Sequence, residues 1–295
     1  MSIESREGRI PVNGGEVWYR VVGSGDAIPL LTLHGGPGAG HDYLESLEAL
    51  ADERPVIFYD QLGCGLSDKP DDPSIWRIER FAREVDEVRA ALGLDRVHLL
   101  GQSWGGWLSI EYMLSQPSGI VSLTLASTSS STSQFVREAN KLIDELPSEM
   151  RDAIREGDRK GDYESPEYIR AMDEFYHRHV CRLDPWPDAM QRTGANLEGN
   201  QVYLTMNGPN EFTVIGNLKE WDRTERLSEI QVPTLITVGR YDEITPVCAE
   251  TMHARISGSE IRVFEQSGHC AHLEEAETYM PVLRDFLHRA EERDA

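Results

Sequence analysis

Residues 97–106, VHLLGQSWGG, combine a short apolar run with a Gly-x-Ser-x-Gly turn. The run at 97–100 has no polar alternation, which is typical of a strand that is buried on both faces. Ser103 follows this run, and helical sequence at 107–114 follows the turn. A serine between such a strand and a helix occupies a sharp, strained turn, and the glycines of the motif leave the space that the turn requires. The stretch therefore predicts a nucleophilic Ser103 at the carboxyl end of a parallel strand.

Strand-like and helical stretches alternate along the rest of the chain. The apolar runs lie at 16–22, 28–33, 56–59, 97–100, 121–126, 234–238 and 261–264, with helical sequence at 78–92 and 274–289. Strands interleaved with helices indicate a mostly parallel central sheet with helices on both faces. Charged helical sequence fills the long gap between the runs at 121–126 and 234–238, so the pattern predicts an inserted helical cap. The expected division is a core of residues 1–127 and 215–295 and a cap of residues 128–214.

Two later strands end in candidate partners for Ser103. Asp242 and His269 each follow one of the last two apolar runs. The chain order Ser, Asp, His is the order that the α/β-hydrolase fold uses. In such a triad the histidine takes the serine proton and returns it to the leaving group, while the carboxylate orients the imidazole. The sequence therefore predicts an α/β-hydrolase with a triad of Ser103, Asp242 and His269, and His272 is the alternative base.

A glycine-rich turn, HGGPG at 34–38, follows another buried run. Turns of this kind direct backbone N–H groups at the oxyanion of a tetrahedral intermediate. The expected donors are the N–H groups of Gly36 and of Trp104, with Gly35 as a further candidate. His34 comes too early in the chain to be the base of this fold, so a role in bracing the loop is expected instead.

The composition limits the partners of the protein. Its 29 basic and 51 acidic residues give a net charge of −22, which disfavours nucleic acid and anionic membranes and favours cationic ligands. No apolar run is long enough to span a membrane, and the first residues show no secretory signal, so a soluble protein of the cytoplasm is expected.

The cysteines and the motifs predict neither a metal nor an organic cofactor. The four cysteines, at 64, 181, 248 and 270, form no CxxC pair, as expected of structural thiols in a reducing compartment. The sequence contains no metal, flavin or nucleotide motif, and the glycine-rich segments are accounted for by the nucleophile turn and the oxyanion loop. The oligomeric state stays open.

Six motifs together resemble the prolyl iminopeptidases and the related aminopeptidases and amino-acid amidases of the α/β-hydrolase fold. They are HGGPG at 34, DQLGCGLS at 60, GQSWGG at 101, MNGPNEF at 206, GRYDEITP at 239 and SGH at 267. MNGPNEF resembles the branch that contains the tricorn-interacting aminopeptidase. The resemblance implies a serine aminopeptidase or amidase that releases N-terminal proline or another small uncharged residue through an acyl-enzyme. The chain carries Leu62 where typical bacterial members have arginine, which argues against strict proline specificity.

Two glutamates are candidates for binding the substrate. Glu243 directly follows Asp242, and the resemblance places Glu211 of MNGPNEF over the site. Both are expected to bind the free amino group of a small peptide, amino-acid amide or ester. A carboxylesterase with the same triad is the alternative function, because it needs no recognition of an amine. A receptor that binds its ligand but barely turns it over is a third possibility.

Overall fold

The computed structural model describes residues 4–294 and contains one eight-stranded sheet. Its strands are β1 (Ser5–Val12), β2 (Gly15–Val22), β3 (Leu30–Leu33), β4 (Val56–Tyr59), β5 (Val97–Gln102), β6 (Ile120–Ala126), β7 (Thr234–Gly239) and β8 (Glu260–Phe264). The strand order is β1-β2-β4-β3-β5-β6-β7-β8. The two outer ends of the predicted core, at residues 1 and 295, lie outside the described residues.

The helices connect the strands and cover the sheet. They are α1 (Ile78–Leu92), α2 (Trp104–Met113), α3 (Thr132–Asp144), α4 (Ser148–Lys160), α5 (Pro166–His179), α6 (Asp188–Leu197), α7 (Gln201–Met206), α8 (Pro246–His253), α9 (Ala271–Glu274) and α10 (Ala276–Asp294). Short 3₁₀ helices occupy Asp42–Leu50, Pro73–Ile75 and Thr224–Glu229. Within residues 4–294, no helix combines the length and the apolar character that a membrane crossing requires.

The predicted fold class is confirmed, because all neighbouring strands along the order β4-β3-β5-β6-β7-β8 are parallel. Only the pairs β1–β2 and β2–β4 are antiparallel. Every residue of β3, β4, β5, β6 and β7 is buried, as expected of strands with helices on both faces. The sequence analysis missed β1. This edge strand is mostly exposed and reads SREGRIPV, so it lacks the apolar run that marks the other strands.

Helices α3 to α7 lie between β6 and β7 in the chain, inside the segment that the sequence analysis assigned to a cap, and that division stays a prediction. We call them the cap-region helices. The carbonyl of His179, at the end of α5, accepts hydrogen bonds from the N–H groups of His269 at 2.9 Å and of Glu243 at 3.3 Å. Arg192 of α6 donates to Asp42 and Glu45, both at 2.6 Å. These contacts hold the cap-region helices over the carboxyl ends of the strands.

Candidate active site

Ser103 lies in the tight turn between β5 and α2, as its motif predicts. Its backbone has φ 57° and ψ −124°, a conformation that is strained for any residue except glycine. The Thr128 hydroxyl donates to the Ser103 carbonyl at 2.8 Å and supports the turn. A Cβ at Gly101 would collide with the carbonyl of Gly105, and a Cβ at Gly105 would collide with the carbonyl of Leu33. Only glycine fits these two positions, so the motif is a packing requirement.

Asp242 and His269 meet beyond the ends of β7 and β8. His269 Nδ1 lies 2.7 Å from Asp242 Oδ1, and the N–H of Ile244 donates to the same oxygen at 2.8 Å. The other ring nitrogen, Nε2, lies 3.9 Å from Glu243 Oε1. Ser103 and His269 line one cavity of about 60 Å³, which we call the histidine cavity. The imidazole is therefore oriented by Asp242, and it lines the same cavity as the serine.

Three carboxylates act on the pKa of His269. Burial by itself lowers this pKa, but Asp242, Glu243 and Glu211 outweigh burial and raise it to about 9. His272, the alternative base, differs in both respects. Its Nε2 lies 3.0 Å from the Tyr43 carbonyl, and burial lowers its pKa to about 4. His272 is thus tied to the backbone and does not line the histidine cavity.

The predicted oxyanion donors differ in whether their N–H groups are free. The Gly35 N–H donates to the Tyr43 hydroxyl at 2.7 Å and is therefore already used. Trp104 is the first residue of α2, a position whose N–H has no acceptor within its helix. Gly36 has φ 108°. Within residues 4–294, neither the Gly36 N–H nor the Trp104 N–H donates to a backbone carbonyl in the turns, loops and helix ends. Gly36 and Trp104 both lie beside Ser103.

Gln61 connects the oxyanion loop to the nucleophile helix. Its N–H donates to His34 Nε2 at 3.0 Å, and its side-chain amide donates to the His34 carbonyl at 3.0 Å. The Trp104 indole N–H donates to Gln61 Oε1 at 2.8 Å. Burial lowers the pKa of His34, so its ring is neutral and accepts from Gln61. His34 therefore braces the loop. The sequence analysis did not identify Gln61, although its DQLGCGLS motif was a signal.

Tyr43 and Gln102 form a second brace that sequence reasoning missed. The Tyr43 hydroxyl accepts from the Gly35 N–H and donates to Gln102 Oε1. The Gln102 amide donates to the His269 carbonyl at 3.1 Å. These hydrogen bonds connect the oxyanion loop, the nucleophile strand and the histidine loop across 167 residues of sequence. No local pattern announces such a contact, because its members are far apart along the chain.

Glu211 and Glu243 lie together beside Ser103. The three residues line a second cavity of about 20 Å³, with Trp107 and Phe135 on its wall, which we call the carboxylate cavity. The Tyr203 hydroxyl donates to Glu211 Oε1 at 2.8 Å. Glu243 is only 1% exposed, and its Oε2 has no hydrogen-bond partner among the described residues.

The pKa values of both glutamates are raised. Burial raises the pKa of Glu243 well above its ordinary value, and the charge of Glu211 raises it further. Burial also raises the pKa of Glu211, which the hydrogen bond from Tyr203 partly offsets. Two carboxyl groups in one small cavity repel each other as anions, so the pair favours a cation or a shared proton between them.

One cluster among the described residues has ligand atoms close enough together to hold a metal ion. The ligand atoms of His41, Asp42 and Glu45 lie within 4.8 Å of one another. Arg192 donates to both carboxylates at 2.6 Å, and His41 Nδ1 lies 2.9 Å from Asp60 Oδ1. The cluster is thus neutralised by the protein's own side chains, and it lines neither cavity beside Ser103.

Known proteins are similar to this chain in sequence and in fold. Residues 28–276 match the family model described as alpha/beta hydrolase fold. The chain is 42% identical to the proline iminopeptidase of Lactobacillus helveticus, over 98% of this chain and 100% of that protein. It is 42% identical to the proline iminopeptidase of Saccharolobus solfataricus, over 97% of this chain and 93% of that protein. The crystal structure of proline iminopeptidase from Mycobacterium smegmatis has a TM-score of 0.92 and 38% identity, covering 98% of this chain and 100% of that chain. The chain belongs to the proline iminopeptidase family.

The prediction of the proline iminopeptidase family is thus confirmed, and most of the motifs behind it contribute a residue to the cavities beside Ser103. Leu62, the residue that differs from the typical family pattern, does not. It is fully buried, and its side chain packs under the turn between β1 and β2, next to Gly14 and Gly15. The difference therefore lies outside the residues that line the two cavities beside Ser103.

Proposed function

We propose that the chain is a serine aminopeptidase that releases N-terminal proline, or another small uncharged residue, from peptides and amino-acid amides. The observation that carries the proposal is the pair of carboxylates, Glu211 and Glu243, in one cavity with Ser103. A buried carboxylate without a cation is costly, and a protonated N-terminus offsets that cost. Protonated N-terminal proline has two N–H donors, one for each carboxylate. The narrowness of the carboxylate cavity favours a small first residue.

In this mechanism Ser103 attacks the carbonyl carbon of the first residue. His269 Nε2 takes the serine proton, and Asp242 holds the imidazole by its Nδ1 and stabilises the charged ring. The N–H groups of Gly36 and Trp104 stabilise the oxyanion, and Gly35 supports the loop because its own N–H is occupied. His269 then protonates the leaving nitrogen. Water attacks the resulting acyl-enzyme by the same route in reverse.

The carboxylate pair also separates the proposed activity from that of a carboxylesterase. A simple acyl ester or an internal peptide bond offers no positive charge at the carboxylate cavity, so its binding would leave Glu211 and Glu243 unpaired and desolvated. The ammonium group of an aminopeptidase substrate compensates the charge of the two carboxylates, whereas a simple ester does not. The carboxylesterase alternative is therefore not favoured.

The test compares prolyl p-nitroanilide with its N-acetylated form and with p-nitrophenyl acetate. The wild-type enzyme should cleave the free anilide and barely cleave the acetylated one. Glu211→Gln and Glu243→Gln should each lower kcat/KM for the free anilide by about a hundredfold, the scale for removing one partner of a buried charge pair. Activity on the acetate should not fall. Glu220→Gln is the matched control, because Glu220 is exposed and has no ion pair among the described residues. Equal cleavage of the free and acetylated anilides would falsify the aminopeptidase proposal.

A further inference from the structure

A third cavity, of about 310 Å³, opens between the cap-region helices. Its walls are mainly apolar and aromatic and include Met172, Tyr176, Trp186, Leu197, Tyr203 and Leu204. We call it the outer groove. Its volume is in the range of small-molecule binding sites, and walls of this composition bind apolar groups. Nothing in the proposed chemistry at Ser103 requires this groove.

The outer groove is continuous with the histidine cavity. The two share Val180, Met190, Thr193, Leu197 and Glu211 as lining residues. The histidine cavity is lined by Ser103 and His269, and it shares Ser103 and Glu211 with the carboxylate cavity, which Glu243 lines. The carboxylate cavity is therefore connected through the histidine cavity to the outer groove.

The chemistry gives this path a direction. In the proposed function, the charged nitrogen of the first residue is held between Glu211 and Glu243 in the carboxylate cavity. The leaving nitrogen must lie within reach of His269 Nε2, because His269 protonates it. The chain that follows the scissile bond thus leaves through the histidine cavity and enters the outer groove.

We propose that the outer groove binds the apolar side chain of the substrate's second residue, an inference that rests on the proposed aminopeptidase function. Neither lysine nor arginine occurs among the described residues that line the groove, whereas Glu198 and Glu211 do. The groove therefore offers no partner for a carboxylate next to that side chain. The preferred substrates are peptides in which an apolar second residue is followed by another amide.

The kinetic signature follows from the order of the steps. The second residue is present only until the acyl-enzyme forms, so the groove acts on acylation and on kcat/KM. Hydrolysis of the acyl-enzyme cannot depend on it, because the leaving group has departed. An ester such as proline methyl ester, with a small leaving group, should be indifferent to the groove.

The experiment measures kcat/KM for Pro-Phe-amide, Pro-Gly-amide, Pro-Phe with a free carboxylate, and proline methyl ester. We expect Pro-Phe-amide to exceed Pro-Gly-amide about tenfold, the gain from burying part of an aromatic side chain. It should also exceed free Pro-Phe. Equal values for the two amides overturn the groove proposal and leave the aminopeptidase intact. If the enzyme cleaves none of the four substrates, the proposed function itself is overturned.

A matched pair of variants locates the effect. Leu204 lines the groove and is 48% exposed, and Leu66 is 55% exposed and lines none of the cavities described here. Leu204→Gln should lower the ratio of Pro-Phe-amide to Pro-Gly-amide by about threefold, as expected for the loss of one partly exposed apolar contact. It should leave the methyl ester unchanged. Leu66→Gln should leave all the rates unchanged. A preference for phenylalanine that survives Leu204→Gln would place the second residue elsewhere and overturn the assignment.

Discussion

Ser103 carries its strain in the backbone, so its side chain can be shortened without disturbing the turn. The left-handed φ is imposed by the junction of β5 and α2 and by the Thr128 hydrogen bond. Ser103→Ala should therefore fold normally, lose hydrolysis of every substrate and lose labelling by a fluorophosphonate, because the attacking oxygen alone is removed. Circular dichroism and the unfolding midpoint check the fold. Labelling that persists at a single site would assign the nucleophile to another residue.

The pKa of His269 gives a second prediction for a single residue. The neutral imidazole is the active base, and its pKa of about 9 means that kcat/KM for p-nitrophenyl acetate should rise with pH up to about 9. Glu243→Gln removes one of the charges that raise this pKa, so the rising limb should move to lower pH and the rate at pH 7 should increase. Glu220→Gln should leave the profile in place. An unshifted limb in Glu243→Gln would show that Glu243 does not act on the base.

The same carboxylates lower the activity of the free enzyme near neutrality, because they keep His269 protonated. A substrate ammonium group between Glu211 and Glu243 offsets part of their charge and lowers the pKa of His269 again. For an aminoacyl substrate, the rising limb of kcat should therefore lie at lower pH than that of kcat/KM. The amine site and the base are thus coupled by charge.

At the scale of elements, two helical glycines, Gly105 and Gly194, differ in the space around them. A Cβ at Gly105, in the first turn of α2, would collide with the Leu33 carbonyl of the neighbouring strand. Gly105→Ala should lower the free energy of unfolding by about 1–3 kcal/mol, the usual cost of overpacking, and should displace Ser103. Gly194, in α6, is exposed, and a Cβ there would meet no heavy atom within 4 Å. Gly194→Ala should therefore raise the free energy of unfolding by about 0.5–1 kcal/mol.

Urea unfolding followed by circular dichroism measures both glycine variants. The opposite signs of the two changes are the critical result, because each variant adds one methyl group to a helical glycine. Destabilisation by Gly194→Ala of the same size as by Gly105→Ala would mean that helix context, and not the strand–helix contact, decides the effect.

The elements differ in how well the sequence predicted them, and burial is the reason. The bounds of β4 and α1 coincide with their predicted ranges, because a continuous apolar run and a regular helical stripe mark them. The sequence analysis did not identify β1, α6 or α7. β1 is mostly exposed, and α6 has few buried residues. α7 has six residues, which is too short for a helical stripe to show. Their positions depend on tertiary contacts, such as Arg192 with Asp42, that no local pattern encodes.

At the scale of the whole molecule, the candidate site draws on segments from both ends of the chain. The sequence could predict Ser103, Asp242 and His269 because each follows a strand, and strand ends meet at one edge of a parallel sheet. It could not predict Tyr43 or Gln102, whose hydrogen bonds span long stretches of chain. The outer groove was hidden because it forms where cap-region helices pack together. The occupied N–H of Gly35 depends on where the Tyr43 side chain lies, which no local pattern encodes.

The net charge of −22 belongs to the whole molecule and acts at longer range than the carboxylate pair. At low salt it raises the local concentration of cations, and an N-terminal amine is mostly protonated at pH 7. Salt screens this field, because the Debye length falls from about 30 Å at 0.01 M to about 3 Å at 1 M. Raising NaCl over this range should therefore lower kcat/KM for prolyl p-nitroanilide several-fold.

The neutral substrate p-nitrophenyl acetate is the control for salt, since its encounter with the enzyme involves no net charge. Its kcat/KM should stay within about twofold over the same range, because screening acts only between charges. Potassium chloride in place of NaCl should give the same curve, because screening depends on ionic strength and not on the identity of the cation. An equal response of the two substrates would mean that the global charge does not contribute to capture. Recognition of the amine would then belong to Glu211 and Glu243 alone, whose partly and fully buried carboxylates are screened much less.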